Sequence, residues 1–260
     1  MPKITHEPRK PRELTYNETH HTVMANDVVK GKQEMTLQEA RLLRLLITQV
    51  AKEDKDLMTY TTKISELAKF LSIPKNNLYR DVKNICDSLM RRVVRIGTGN
   101  PRQPWKIFQW IQLASYDGKG NLTLMLSEQI EPFVIGLNEY FTQYQLANIL
   151  AMNSVYAIRL YEILKSDEYR RSNEYPTYTV KELREAFECE KKHTQFGHFK
   201  TRVIDVAVRE INAKTDIHIR DVEYIKDSRA VVGLRFIFGY LKPTPELPGQ
   251  LTLDGNEADS

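Results

Sequence analysis

The chain has 260 residues, 41% apolar and 28% charged, enough for one large domain or two ordinary ones and folded rather than disordered over its bulk. No run approaches the roughly 18 apolar residues that cross a bilayer, and the N-terminal MPKITHEPRKPREL lacks the apolar stretch of a secretion signal, so a cytosolic protein without membrane partners is expected. The net charge is only +4, but it is unevenly placed: residues 1–13 hold Lys3, Arg9, Lys10 and Arg12 against two acids, and 241–260 hold Lys242 against Glu246, Asp254, Glu257 and Asp259. The body between is thus mildly basic, which suits a nucleic-acid binder without demanding one.

In chain order, residues 1–13, with Pro2, Pro8 and Pro11 among basic side chains, read as a flexible arm. Residues 14–34 are polar, with β-prone stretches at Thr22–Ala25 and Asp27–Val29. At Thr36 the pattern changes: Thr36 and Glu39 make a capping box, and Leu42, Leu43, Leu45, Leu46 and Val50 give an apolar helical face. A short extended piece follows at Met58–Thr61, then a helix over about 65–71. Ser72-Ile73-Pro74 breaks that helix, and Pro74 fits the first turn of a new one. The new helix runs over about 75–91, with Leu78, Val82, Ile85, Cys86 and Leu89 on one face. Two extended stretches, Trp105–Leu113 and Leu122–Leu126, flank the polar turn Tyr116-Asp117-Gly118-Lys119-Gly120-Asn121 and read as a hairpin. Helix, helix, tight turn, helix and β-hairpin is the winged-helix order.

The second half repeats it. Residues 128–152 read as short helices, and Val155–Asp167 as a longer one. Tyr175–Val180 looks extended and Lys181–Cys189 helical. A basic break, Glu190-Lys191-Lys192-His193, precedes a helix over about 196–214, and Ile217–Ile225 pairs with Ala230–Phe238 around Lys226-Asp227-Ser228-Arg229. The expected fold is α+β: two tandem winged-helix domains, each a helix-turn-helix plus β-hairpin, over 14–135 and 136–240, with a disordered acidic tail at 241–260.

The first helix-turn-helix candidate spans Glu66 to Arg80. Ala68 is the small residue where two steeply crossed helices touch, and Leu78 closes the core. With Leu78, Val82, Ile85 and Leu89 inward, a helical wheel turns Asn76, Asn77, Arg80, Lys83, Asn84 and Arg91 outward. Asn and Arg read adenine and guanine edges with paired hydrogen bonds. A solvated face of an ordinary helix pair is an equal reading of the segment alone. In the second candidate, Phe199, Val203, Ala207 and Ile211 form the buried stripe. His198, Thr201, Arg202, Asp205 and Arg209 project away from it. Lys200 sits at the flank within reach of a phosphate, and Lys191 and Lys192 precede the helix where a backbone contact is natural. This too reads equally as a plain surface.

The stretch Ser154–Phe238 resembles the initiator (Rep) protein family of iteron-carrying, theta-replicating plasmids. The resemblance rests on SVYAIRLYEIL at 154–164, YTVKELR at 178–184, FKTRVID at 199–205, EINAKTD at 210–216 and GLRF at 233–236, in order and spacing. A looser match through Met24-Ala25-Asn26 and the helix from Leu78 to Arg92 extends it over about 15–240. Val206 and Val208 stand where the family pattern carries a proline, which leaves the bend of that helix open. The resemblance implies a protein that initiates plasmid replication, its monomers binding direct repeats in double-stranded DNA through both domains. It further implies homodimers, formed mainly through the first domain and in equilibrium with monomers, that bind an inverted repeat and repress the gene. Host initiator and helicase proteins are implied partners.

No catalytic function is expected. A rolling-circle nickase needs a His-hydrophobic-His metal pair, whereas His20 and His21 are adjacent and His193, His198 and His218 are wrongly spaced. The phosphate loop of an ATPase is missing. Cys86 and Cys189 lie too far apart for clustered metal ligands and read as reduced thiols, so neither a metal nor a cofactor is expected. The remaining rival is a dedicated winged-helix repressor. The apolar residues Ile107, Phe108, Trp110, Ile111 and Leu113 mark the first hairpin as a candidate dimer contact, or as a strand covered on both faces within the monomer.

Overall fold

The computed structural model describes residues 10–240 apart from 18, 98–99 and 169–174. The expected acidic tail and residues 1–9 of the expected arm lie outside the described residues. The arm is already anchored at β1 (Arg12–Glu13), which runs parallel to a later strand, with Leu14 buried behind it.

β2 (His21–Ala25) leads directly into α1 (Asn26–Lys30). The β-prone Asp27–Val29 is therefore helical, because burying Val28 and Val29 fully against the core outweighs their strand preference. β3 (Lys32–Gln33) precedes α2 (Leu37–Ile47), whose start is fixed by the expected capping box: Thr36 Oγ1 accepts from the Glu39 amide, and the Glu39 carboxylate accepts from the Thr36 amide.

The first helix-turn-helix unit, or head, follows as β4 (Thr59–Lys63), α3 (Ile64–Phe70), a 3-10 turn (Lys75–Asn77) and α4 (Leu78–Leu89). The tight turn closes in a Schellman arrangement: Ser72 sits at φ +56°, its amide bonds Lys69 O, and the Ile73 amide bonds Ala68 O at 2.9 Å. The stretch 105–113 is not one strand. β5 (Val93–Ile96), which the sequence pattern did not reveal, pairs with β6 (Lys106–Gln109), and after a break at the fully buried Trp110, β7 (Ile111–Tyr116) pairs with β8 (Asn121–Leu126).

A 3-10 turn (Glu128–Phe133) leads to β9 (Phe141–Gln145), where short helices were expected. Thr142 and Tyr144 alternate inward there, and the strand pairs antiparallel with β2. α5 (Leu146–Ala151) and α6 (Val155–Ser166) follow. The second head is β10 (Thr177–Thr179), α7 (Val180–Ala186), α8 (Phe196–Phe199), a π turn (Lys200–Ile204) and α9 (Asp205–Lys214), with the wing β11 (Ile217–Asp227) and β12 (Ala230–Tyr240).

The repeat is thus real in three dimensions. Sheet order is β4-β8-β7 in one head and β10-β12-β11 in the other. Glu188 at φ +48° closes the second tight turn as Ser72 closes the first, with Cys189 bonding Arg184 O. The halves meet where β2 and β9 pair antiparallel. There the Asn26 amide bonds Tyr140 O at 2.8 Å and the Leu146 amide bonds His20 O at 2.9 Å. One continuous apolar core, including α2 and α6, runs through both halves.

Candidate nucleic-acid interface

In the first head, α4 buries Val82, Cys86 and Leu89 and packs Leu78 and Ile85 partly against the core, with Ala68 buried on α3. Asn76 and Asn77 are exposed on the 3-10 turn rather than on α4, and Arg80, Lys83 and Asn84 are exposed on the helix itself. Arg91 is exposed just past the helix end at Met90. Two of these cations are answered locally: Arg80 Nε lies 3.1 Å from Asp81, and Lys83 Nζ lies 2.5 Å from Asp87. The lysine's hydrogen bond holds the Asp87 carboxyl below the usual carboxylate range. The outer face of α4 therefore offers amides and self-paired charges.

The second head is organised differently. Phe199, Val203, Ala207 and Ile211 are all fully buried, at strict four-residue spacing. A stripe at that spacing drifts off one face of a helix with 3.6 residues per turn. The wider π turn at Lys200–Ile204 takes up the drift, so the helix runs unbroken from Phe196 to Lys214 where the family pattern led us to look for a proline bend. His198, Thr201, Arg202 and Arg209 are exposed, as are Lys191 and Lys192 in the preceding loop. Arg202, Arg209, Lys191 and Lys192 make no ion pair with any described residue. Thr201 Oγ1 donates to Gly197 O at 3.0 Å.

Lys200, at the flank, is paired. Its Nζ lies 2.8 Å from Asp205 of the outward face and 5.7 Å from the centre of the Tyr224 ring on the wing, in an exposed pair. Asp205 hydrogen bonding raises the Lys200 pKa above the ordinary lysine value, against a smaller opposing effect of burial.

Three exposed cations at the hairpin tips escaped the sequence reading, which concentrated on helices. Lys119 sits between Gly118 at φ +74° and Gly120 at φ +99°, in a turn where Asp117 accepts from the amides of Lys119 and Asn121. Glycine is the residue that adopts both conformations without strain. Lys226 and Arg229 flank the tip of the second wing. Their placement within the two hairpin turns was the available signal. Tyr79, 56% exposed on α4, was also missed; its ring lies 5.8 Å from that of Tyr116 on the first wing.

Of the apolar residues expected on the first hairpin, Trp110 and Ile111 are fully buried and Phe108 stacks on Phe133 at 5.5 Å, leaving Ile107 and Leu113 exposed on strands of different sheets; Trp105 is exposed as well. Cys86 and Cys189 are free and buried, and burial pushes both thiols up to about 11. Among the described residues no helix is long and apolar enough to cross a membrane, and no group of His, Cys, Asp or Glu side chains is arranged to hold a metal ion.

Two family models match nearly the whole described chain. The model described as initiator replication protein, WH1, covers residues 21–165, and that described as initiator Rep protein, WH2, covers 179–238. The chain is 29% identical over 147 residues to the PI protein of Escherichia coli, covering 51% of this chain and 47% of that protein, so it spans about half of the PI protein's length. An uncharacterized 27.6 kDa protein of Escherichia coli is 23% identical over 206 residues, covering 74% of this chain and 85% of that one. The crystal structure of a Pi initiator protein in complex with iteron DNA superposes with a TM-score of 0.68 at 20% identity, covering 86% of this chain and 98% of that one, which fixes the likeness of fold.

Proposed function

The chain belongs to the initiator replication protein family, and from that premise we propose that it starts plasmid replication by binding direct repeats at its own origin, one monomer per repeat. The observation that carries this reading is the presence of two unlike outward faces, amide-rich on α4 and cationic on the Phe196–Lys214 helix, held in one rigid core. Unlike faces suit a single asymmetric site read over successive major-groove segments about 10 bp apart. The reading residues are Asn76, Asn77, Arg80, Lys83, Asn84 and Arg91 in the first head. In the second they are His198, Thr201, Arg202 and Arg209, with Lys191, Lys192 and Lys200 on the phosphates. The domains divide near 135, and the protein acts by binding in the cytoplasm, without catalysis of its own.

As a dimer the same protein represses its gene at an inverted repeat, the contact being the exposed Trp105, Ile107 and Leu113 of the first head. Host initiator and helicase proteins complete the assembly at the origin. The test is a DNA circle carrying the gene and its flanking repeats, with no other origin, introduced into a permissive host. Stable maintenance that is lost when the repeats are deleted is the expected result. Repression of the promoter without maintenance would identify a dedicated repressor. Sedimentation should show one chain per direct repeat and two per inverted repeat; two chains on a single direct repeat, or one on the inverted repeat, would overturn the division of labour.

A further inference from the structure

A chain of charged contacts connects the two heads through the interior. Arg92, just past α4, donates from Nε to Glu39 of α2 at 3.0 Å, and Glu39 is almost fully buried. Further along α2, the fully buried Arg44 grips Glu162 of α6 with two parallel hydrogen bonds, Nε to Oε1 at 2.8 Å and Nη2 to Oε2 at 2.9 Å. Gln33 accepts from Arg44, and Glu162 also accepts from the Tyr144 hydroxyl at 2.6 Å and from Arg159 at 3.0 Å. Arg159 continues the chain to Ala186 O, the last residue of α7, at 3.4 Å, and to Gly31 O, which ends α1, at 2.9 Å. Arg41, in the corresponding place on α2, donates to Met152 O, which ends α5.

Burial raises the Glu162 pKa, but Arg44, Arg159 and the tyrosine hydroxyl outweigh it, so the carboxyl lies below the usual range and stays ionised. A buried ion triad contributes little stability over apolar side chains of equal volume, since desolvation offsets its attraction. What it adds is direction: a guanidinium fork meets a carboxylate in one plane and at one angle, whereas apolar contact tolerates sliding and rotation.

Building on the reading that both heads grip one duplex, we propose that Arg44, Glu162 and Arg159 are positioning residues that fix the rotational and axial offset of the two recognition helices, and thereby set the base-pair spacing between the two segments of a site. Each added base pair displaces the second segment by roughly 3.4 Å and turns it by about a tenth of a helical turn. A rigid ruler refuses that displacement; a slack one absorbs it.

The experiment starts with the full chain selecting a duplex from a random pool, with footprinting to locate the two segments. One base pair is then inserted between them. For the natural sequence the insertion should weaken binding about tenfold or more. In R44M/E162M/R159M, with folding checked by circular dichroism, the same insertion should weaken binding less than about threefold, even though affinity for the uninterrupted site falls. If that variant does not fold, the near-isosteric E162Q, which removes the charge and sets an amide N–H donor where one carboxylate oxygen accepts, so that one arm of the Arg44 fork is lost, should still lower the insertion penalty by about threefold. A folded variant that keeps the natural penalty overturns the ruler. Failure of the natural protein to select any sequence would instead overturn the reading of the site on which the ruler rests.

Discussion

The two recognition helices hold corresponding places in two copies of one architecture, behind matching Schellman turns and in front of sheets that share a three-strand order, to which β1 adds a fourth strand in the first head. On α4, Arg80 and Lys83 are each matched by a carboxylate one or four residues away. On the Phe196–Lys214 helix, the acid Asp205 is taken by Lys200, and Arg202 and Arg209 point outward with Lys191 and Lys192 beside them. Exposed pairs of this kind contribute little to stability. Their consequence is functional, because a lysine already facing a carboxylate releases fewer counterions when it meets a phosphate. One fold thus carries amides and locally paired charges on α4 and unpaired cations on the other helix; on the proposed function, the first head selects mainly through Asn76, Asn77 and Asn84, and the second adds affinity to selectivity.

The comparison breaks most severely if the second head is unseated. Phe199 is fully buried, with the Arg184 guanidinium 4.4 Å above its ring. Phe199→Ala should cost about 3–5 kcal/mol in urea unfolding and leave DNA selection to the first head alone. A shift below 1 kcal/mol would show that the π-turned helix does not depend on that anchor.

Next in size is Arg202→Ala, which should weaken the selected site by roughly 1–3 kcal/mol and relax sequence preference at one position. Asn84→Ala should relax preference in the other segment without altering the salt dependence, since no charge is removed. If the two substitutions affect the salt slope equally, the proposed contrast between the heads is wrong. Lys191→Ala with Lys192→Ala should weaken all sequences alike and reduce the salt slope by about two.

Asp87→Asn sharpens the contrast from the other side. Releasing Lys83 makes the first head more like the second, so the salt slope should steepen by about one while sequence preference stays put. An unchanged slope would place Lys83 away from the phosphates.

The order of elements was legible in the sequence because each head is local: a capping box at Thr36, a proline break at Pro74 and apolar stripes from Leu78 and Phe199 each announce themselves within a dozen residues. What escaped depends on distant partners. β5 and β9 are strands because of what they pair with, and Trp110 divides one apolar run into two because each half serves a different sheet. The family resemblance supplied the DNA-binding expectation, but the outward list on the wheel could not show which cations already had partners. Lys83 and Arg80 looked the same as Arg202 there, and only the placed acids separate them.

The smallest expected effect concerns His193, which lies at the foot of the second recognition helix at φ +53°. Burial first, and then the nearby Arg202, His198, Arg184 and Lys192, lower its pKa below the ordinary histidine value. In the free protein, then, protonation opposes the fold: this contribution to stability is complete above the unfolded pKa and is lost as pH falls through it toward the folded one. A phosphate laid across Lys191, Lys192 and Arg202 would shield those cations and raise the imidazole pKa, so binding takes up a proton between the free and bound pKa values. The two signs are opposite. On acidification from pH 8 to about 5.5, the natural protein should lose more thermal stability than His193→Gln when free, yet gain more DNA affinity than His193→Gln when titrated with its selected duplex. Parallel melting and binding curves for the two proteins would remove His193 from the cationic head and confine that head's pH response to other groups.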